Sequence, residues 1–217
     1  MVTRKLKPTV LLIYKEIQTA INEGYEVIVF PESVFPLYMN KNPKLINQLL
    51  ILSKDISIVA GALYKENSKS YNVTYLFENE KYSMAKKLVL VPFGEYIPLP
   101  KFAKKIINDT FFSGASDFVR ATSPTDFKIK GVKFRNAICY EATCQEIYEG
   151  EVDFVIATSN NAWFSPSIEP TLQNFLCDTM QEKMMSLSTI QPTTKVLELL
   201  DNHILDIIIK KNLQVIL

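Results

Sequence analysis

The chain has 217 residues, with 24 lysines and arginines against 23 aspartates and glutamates, so its formal net charge is +1. That length allows one sizeable domain with a buried core, and the near-neutral charge gives no broad field that would favour nucleic acid or an anionic membrane surface. The three cysteines, Cys139, Cys144 and Cys177, show no CxxC spacing, which argues against a disulfide framework or a zinc site. No apolar run approaches the roughly 20 residues that cross a bilayer, and the first segment becomes charged too early for a signal peptide.

The first half of the sequence predicts a βαβ unit. Apolar residues recur at helical spacing from Thr9 to Glu23 and stop at Gly24, which predicts a helix. The apolar run EVIVF then predicts a buried parallel strand that Pro31 ends, so that Glu32 lies at its carboxyl tip, where open α/β sheets place their active sites. A helix and two further strands are predicted over Lys44 to Lys54, Ile56 to Leu63 and Tyr71 to Phe77.

The second half predicts a hairpin followed by one more strand. The segment FKIKGVKFRNAICYE alternates apolar and polar residues about a Lys130-Gly131 turn, and its second arm delivers Cys139. Val152 to Thr158 forms another buried apolar run. Beyond it the pattern becomes helical but irregular.

Three segments each present a reactive side chain where a strand or hairpin ends: Glu32 in FPES, Lys87 in AKKLVLVPFGEYIP and Cys139 in NAICYE. A thiol attacks only as a thiolate and needs a nearby proton acceptor, and attack on a carbonyl needs a donor for the oxyanion. The sole histidine, His203, lies in the irregular tail. A carboxylate is therefore favoured over a histidine as the base.

Each candidate also has an ordinary structural interpretation. Cys139 could be a small core residue, Glu32 a helix-capping carboxylate, and Lys87 a solvated surface charge. Trp163 would by default pack in a core, and Glu95 and Glu141 would by default be solvated. The occurrence of all these segments in one order favours the catalytic interpretation.

The segments VFPES, KLVLVPFGEY, ICYE and TSNNAWF, in this order, resemble the nitrilase (carbon-nitrogen hydrolase) superfamily. VPFGEYIP and SNNAWF resemble the apolipoprotein N-acyltransferase family in particular. The resemblance implies an α/β fold, the four-layer α-β-β-α sandwich, with residues 1–174 as the catalytic domain. We expect the sandwich to be incomplete at both ends, with its first strand missing before the first helix.

The resemblance also implies roles for the site residues. Glu32 is the general base, Cys139 the nucleophile, and Lys87 the lysine that stabilises the oxyanion. Lys87 is chosen over Lys86 because it holds the family's spacing ahead of PFGEY. The supporting residues are two further carboxylates, Glu95 and Glu141, and two positions near the acyl-binding cleft, Tyr140 and Trp163.

The activity implied is transfer of a fatty acyl chain from phospholipid to the N-terminal amine of an apolipoprotein through a cysteine thioester. It requires neither a metal nor an organic cofactor. The resemblance further implies a bacterial inner membrane location, with the domain on the periplasmic side and membrane contact through helices absent from this chain. The alternatives are a soluble nitrilase-type amidohydrolase and an inactive remnant of a split gene.

The sequence departs from the family in two places. Asn161 stands where many relatives carry Asp, and Ser165 replaces a frequent Gly after Trp-Phe. The similarity then stops near Asn174, so residues 175–217 form a divergent tail, explained either by a change of reading frame near residue 175 or by a divergent helical C-terminus. We expect the missing first strand to leave a sheet edge exposed, and the chain as given to be poorly stable and inactive.

Overall fold

A computed structural model describes residues 3–92, 94–96, 118–150, 152–160, 176, 179, 195–199 and 207–210, and it describes the backbone alone at 3–8, 195–199 and 207–210. Its helices and strands are, in chain order, α1 (Thr3–Asn22), β1 (Tyr25–Val29), β2 (Phe35–Tyr38), α2 (Pro43–Leu52), β3 (Ser57–Glu66), β4 (Lys69–Glu78), β5 (Lys81–Lys86), β6 (Asp126–Ile129), β7 (Val132–Ile138), β8 (Phe154–Thr158), β9 (Lys195–Leu199) and β10 (Ile207–Lys210). Short 3₁₀ turns cover Met39–Lys41, Cys139–Thr143 and Gln145–Ile147.

The two helices form where the sequence predicts them. In α1 the residues Ile13, Ile17 and Ala20 are buried on one face, and the chain leaves the helix through Gly24 in the left-handed region, at φ +79°. Pro43 opens α2, a position where its missing N–H would have had no partner in the helix.

The first sheet has six strands in the order β10-β1-β3-β4-β5, and β2 also pairs with β3. β1 and β3 run parallel and are joined through α2, which confirms the predicted βαβ unit. β3, β4 and β5 then form an antiparallel meander. β2 and β5 were not predicted, because the first is a short strand with a proline and the second exposes half of its side chains.

The second sheet has four strands in the order β6-β7-β8-β9. β6 and β7 form the predicted hairpin, and both turn residues, Lys130 and Gly131, have positive φ angles of 48° and 90°. β7 and β8 run parallel and end side by side at Ile138 and Thr158. Cys139 therefore follows directly from the carboxyl end of a central strand.

The layers agree with the expected α/β sandwich. Apolar side chains of α1 and α2 pack on the outer face of the first sheet, and a second apolar cluster lies between the two sheets. Among the described residues, 3₁₀ turns and loops cover the outer face of the second sheet, through Ala142, Ile147 and Tyr148. The fourth, helical layer of the expected sandwich lies outside those residues.

The described parts of the tail differ from the helical expectation. β9 extends the second sheet parallel to β8, and β10 pairs antiparallel with β1 in the first sheet. The edge of the first sheet at β1 is therefore occupied and not exposed, because consecutive β-branched residues such as Ile207–Ile209 favour a strand. Neither described helix is long and apolar enough to cross a membrane.

Candidate active site

The space between the two sheets changes from apolar to polar along the strands. We call its apolar half the inter-sheet core: Val27, Val29, Val59, Leu76, Ala85, Phe127, Ile129, Phe134 and Ile156. One residue pair further along the strands, a buried polar bridge joins the two sheets. The Thr74 hydroxyl of β4 donates to the Asn136 side-chain oxygen of β7. The Asn136 Nδ2 in turn donates to the Thr158 hydroxyl of β8 at 3.2 Å. Beyond this bridge lie Asn72, Lys87, Glu32 and Cys139.

Glu32 is held by a tight turn at the end of β1. The Val34 N–H donates to the Pro31 carbonyl at 3.3 Å, and Ser33 adopts a left-handed φ of 55°. The turn lies against Gly61 of β3, where an added Cβ would stand 2.5 Å from the Ser33 nitrogen and 2.8 Å from the Glu32 Cα. Only a glycine at position 61 lets the backbone of this turn approach so closely.

Lys87 points into the same space from the end of β5. Its side chain is 1% exposed, its Nζ lies 2.9 Å from the Glu95 Oε2, and the Glu32 Oε1 is 3.8 Å away. Burial lowers the pKa of Lys87, but the charges of Glu32, Glu95 and Cys139 more than offset it, so that the pKa is raised. The ammonium therefore stays charged at neutral pH. Its neighbour Lys86 points to the other face and pairs with Glu66 at 3.1 Å.

Asn72 links the two carboxylates, and the sequence analysis missed it. Its Nδ2 donates to the Glu32 Oε1 at 2.8 Å and to the Glu95 Oε1 at 3.1 Å, and its carbonyl accepts the Lys87 N–H at 2.9 Å. One signal in the sequence could have revealed Asn72: it is a polar residue within a strand-like run, at a position that the run predicts to be buried. The ordering of both carboxylates thus depends on one buried amide.

Cys139 leaves β7 with a left-handed φ of 56°, an uncommon conformation for a residue other than glycine. Burial and the charge of Glu32 raise the pKa of its thiol to about 11, against the opposing effects of Lys87, a Ser159 side-chain hydrogen bond and a Tyr140 backbone hydrogen bond. At neutral pH the thiol is therefore protonated. An acceptor must remove its proton as it attacks.

Glu141 is a buried clamp between the two segments that carry Cys139 and Lys87. One oxygen accepts the Ile138 N–H at 2.8 Å, and the other accepts the N–H groups of Leu88 and, at 2.9 Å, of Val89. Burial raises the pKa of Glu141 to about 7, and the three backbone donors limit the rise. The carboxyl group touches the backbone on either side of the site, rather than the thiol.

No family model matches the chain. The apolipoprotein N-acyltransferase of Wolinella succinogenes is 51% identical over 163 residues, which cover 75% of this chain and 39% of that protein. The corresponding proteins of Helicobacter hepaticus and Helicobacter pylori are 45% and 41% identical, over 74% and 76% of this chain and 41% and 39% of their own length. The chain is a homologue of the apolipoprotein N-acyltransferases.

Solved structures agree on the fold. A CN-hydrolase superfamily protein of Xanthomonas campestris has a TM-score of 0.57 at 10% identity, over 89% of this chain and 70% of that one. Nit3 of Saccharomyces cerevisiae, from the nitrilase superfamily, has a TM-score of 0.56 at 15% identity, with the same shares covered. The predicted nitrilase-type fold and the predicted relationship to apolipoprotein N-acyltransferases are confirmed. The chain spans about two fifths of the length of these N-acyltransferase relatives.

The structure brings most of the predicted N-acyltransferase residues together. Glu32, Lys87, Glu95 and Cys139 meet at one place, where the charges of Glu32 and Lys87 both act on the Cys139 thiol. The Tyr140 side chain is 43% exposed beside the nucleophile, so it lies at the surface of the site. Trp163 lies outside the described residues. The catalytic roles of all these residues stay a prediction.

Proposed function

We propose that this chain carries the catalytic domain of an apolipoprotein N-acyltransferase, which moves a fatty acyl chain from phospholipid to the N-terminal amine of an apolipoprotein. One observation carries the proposal: a protonated lysine, held between two carboxylates, shares a buried space with a cysteine on a strained turn. The three groups supply a nucleophile, a base and an oxyanion donor. The homology favours acyl transfer to an amine over the hydrolysis of small amides.

In the first half-reaction, the Cys139 sulfur attacks the ester carbonyl carbon of the phospholipid while Glu32 accepts the thiol proton. A carbon–sulfur bond forms, and the Lys87 ammonium stabilises the negative charge that develops on the carbonyl oxygen. When the intermediate collapses, the ester carbon–oxygen bond breaks. The leaving glyceryl oxygen takes the proton back from Glu32, and a lysophospholipid departs from the thioester.

In the second half-reaction, the neutral α-amine of the apolipoprotein's N-terminal, lipid-modified cysteine attacks the thioester carbonyl carbon. Glu32 accepts a proton from this amine as the carbon–nitrogen bond forms. The carbon–sulfur bond then breaks, and Glu32 returns the proton to the Cys139 sulfur. The amide product leaves, and the site regains its starting protonation state without a net change in charge.

Asn72 and Glu95 support both half-reactions by holding the reacting groups. Asn72 occupies the Glu32 Oε1, which leaves the other carboxylate oxygen to receive protons. Glu95 accepts from Lys87 and from the Val91 N–H at 3.0 Å, so the ammonium is fixed by a carboxylate that is itself anchored to the backbone. Preorganised groups need little rearrangement during the reaction.

Substrates and location follow from the same proposal. The acyl donor is a phospholipid and the acceptor an apolipoprotein, so the domain works at the bacterial inner membrane, on its periplasmic side. Contact with the bilayer would come through segments other than the described helices. The proposal involves no nucleic acid and no cofactor.

The test is acylation of Cys139. Incubating the protein with a phospholipid donor should add an acyl mass to Cys139 that hydroxylamine removes, and an apolipoprotein-type peptide with a free N-terminal amine should discharge it. Cys139→Ser should abolish both steps. Acylated peptide formed without any acyl-cysteine would contradict the proposal, and turnover of small amides with no acylation by phospholipid would favour an amidohydrolase.

A further inference from the structure

A second cation lies on the face of the first sheet that carries the site. Lys65 of β3 and Ser70 of β4 are direct cross-strand partners, as are Leu63 and Asn72 in the neighbouring row. Residues two apart on a strand share a face and are separated by about 6 to 7 Å. The pair of Lys65 and Ser70 therefore lies one row beyond Asn72, on the side away from the inter-sheet core.

Polar contacts fix the position of Lys65. Its Nζ donates to the Ser70 Oγ at 3.0 Å and lies 5.4 Å from the centre of the Tyr38 ring, while the Tyr38 hydroxyl bonds the same Oγ at 3.0 Å. The Asn40 side chain binds the Lys65 backbone on both sides, at 2.7 Å to its carbonyl and 3.0 Å to its N–H. We call Lys65, Ser70 and Tyr38 the Lys65 cluster.

The charge of the Lys65 cluster is oriented, and none of the described residues neutralises it. Every carboxylate that forms an ion pair among the described residues pairs with a lysine or arginine other than Lys65. Among the described residues, Ser70 uses one N–H of the ammonium and Tyr38 shields one side, so two N–H groups remain for a ligand. An ammonium held beside a tyrosine hydroxyl, with no counter-charge in the part of the chain that the structure describes, suits a phosphate oxygen.

We infer that the Lys65 cluster binds the phosphodiester of the acyl donor, while the ester carbonyl of the same molecule lies at Cys139. This inference rests on the proposed function and names a subsite for its donor. The placement supports it, because the cluster lies on the same face of the sheet as Asn72, which binds Glu32 and Glu95, one row further from the inter-sheet core. The cluster would select esters that carry a phosphate and set which ester bond reaches the thiol.

The test compares Lys65→Met with Lys86→Met in the full chain. Lys86 is a matched control because it is also a partly buried lysine beside tyrosine rings, but it faces the helices and pairs with Glu66. The measurement is protection of Cys139 from iodoacetamide by a short-chain phospholipid and by the matching diacylglycerol. Both lipids are used as ether-linked analogues, which cannot acylate Cys139, so protection reports binding alone.

In the wild-type protein and in Lys86→Met, the phospholipid should protect Cys139 at a lower concentration than the diacylglycerol. Lys65→Met should lose this advantage, with a fall in phospholipid affinity of about tenfold to a hundredfold and an unchanged affinity for the diacylglycerol. Lys65→Arg should restore most of the difference. Unprotected Cys139 should react at the same rate in all variants, which shows that the fold and the thiol environment are intact.

The other outcomes distinguish a failure of this inference from a failure of the proposed function. Equal protection by phospholipid in Lys65→Met and wild type would overturn the inference while leaving the proposed function standing. Equal losses for phospholipid and diacylglycerol would also overturn it, since the effect would not concern the phosphate. Inorganic phosphate is added as a competitor of the phospholipid. If phosphate removed the protection at a concentration equal to that of the phospholipid, the cluster would be a site for free phosphate and the inference would be overturned. Preferential protection, together with no acylation of Cys139 by an ester-linked phospholipid, would support the subsite and count against the proposed function.

Discussion

The inter-sheet core and the site beyond it are parts of one space between the sheets, but burial has opposite effects on stability in the two regions. In the core, Val59, Leu76 and Phe134 lose water and gain contacts, so burial itself stabilises the fold. In the site, Lys87 and Glu141 are equally buried, but their burial costs free energy that specific partners must offset. The core therefore holds the two sheets together, and the site uses the alignment that the core provides.

The largest expected effect is the loss of acyl transfer when the charge of Glu32 or of Lys87 is removed. Glu32→Gln and Lys87→Met should each lower acyl transfer by about 10² to 10⁴, because one removes the proposed base and the other the proposed oxyanion donor. Their effects on the thiol should be opposite, since the Glu32 charge raises the pKa of Cys139 and the Lys87 charge lowers it. Iodoacetamide at neutral pH should thus alkylate Cys139 faster in Glu32→Gln and more slowly in Lys87→Met.

Lys86→Met is the control for this pair of variants, because it removes the same charge from the opposite face of the sheet. It should leave both transfer and alkylation near the wild-type rates. Alkylation that shifts in the same direction in Glu32→Gln and Lys87→Met would show that the two charges do not act on the thiol as the geometry indicates.

A truncation in the inter-sheet core should change stability and spare the chemistry. Leu76→Ala removes a side chain that is 4% exposed and should lower the free energy of unfolding by about 2 to 5 kcal/mol. Leu11→Ala, at a side chain 70% exposed, should change it by less than about 0.5 kcal/mol. Urea unfolding measures both, and a loss of alkylation in Leu76→Ala well below its unfolding midpoint would contradict the separation.

Glu141 should make stability depend on pH. Its pKa is about 7 in the fold against an ordinary value of 4.5, so the folded state binds more protons than the unfolded state between these values. The free energy of unfolding should therefore fall as pH rises through that interval, by on the order of 3 kcal/mol, and this contribution should level off above it. Urea unfolding at a series of pH values measures the slope.

Glu141→Gln should flatten that slope, because it removes the titrating group. It should also lower stability at every pH, since the amide cannot accept from all three backbone donors. Glu146→Gln, at an exposed position of the same segment, should keep the slope. A slope that persists in Glu141→Gln would place its origin elsewhere.

The smallest expected effect concerns the polar bridge at the boundary of the two regions. Thr74→Val keeps the side-chain shape but removes the hydroxyl that bonds Asn136. Asn136 keeps its bond to the Ile156 carbonyl at 2.7 Å, so the cost should be about 1 kcal/mol by urea unfolding. If Thr74→Val changed the alkylation rate of Cys139 while lowering stability by only this amount, the bridge would align the two sheets at the site. A fall in the free energy of unfolding above about 3 kcal/mol would instead mean that the bridge is a major contributor to stability.

The sequence predicted the parts of the molecule whose signals are local. Helical spacing identified α1 and α2, apolar runs identified β1, β3 and β8, and a Lys-Gly turn identified the hairpin of β6 and β7. Glu32 and Cys139 follow such elements, whereas Lys87 follows β5 and was predicted from the family resemblance. β5 escaped prediction because its exposed Lys81, Tyr82 and Ser83 give no apolar run.

The missed residues depend on contacts between distant segments. Asn72 and Lys65 take their significance from the register of β3, β4 and β5, which brings an amide to two carboxylates and a lysine to the next row. A single strand pattern carries no register. The burial of Lys87 could not be predicted for the same reason, since its place in the sequence suggests a solvated charge and only the fold explains why it is buried.

The backbone of Cys139 carries a cost that acts on the evolution of the chain. A side chain at φ 56° costs about 1 to 2 kcal/mol relative to glycine, so Cys139→Gly should yield a protein that is inert but slightly more stable. Folded proteins have small margins of stability, and a mutation that relieves strain is favoured wherever activity is not selected. The proposed nucleophilic role of Cys139 would account for a cysteine at this position, where glycine would relieve the strain.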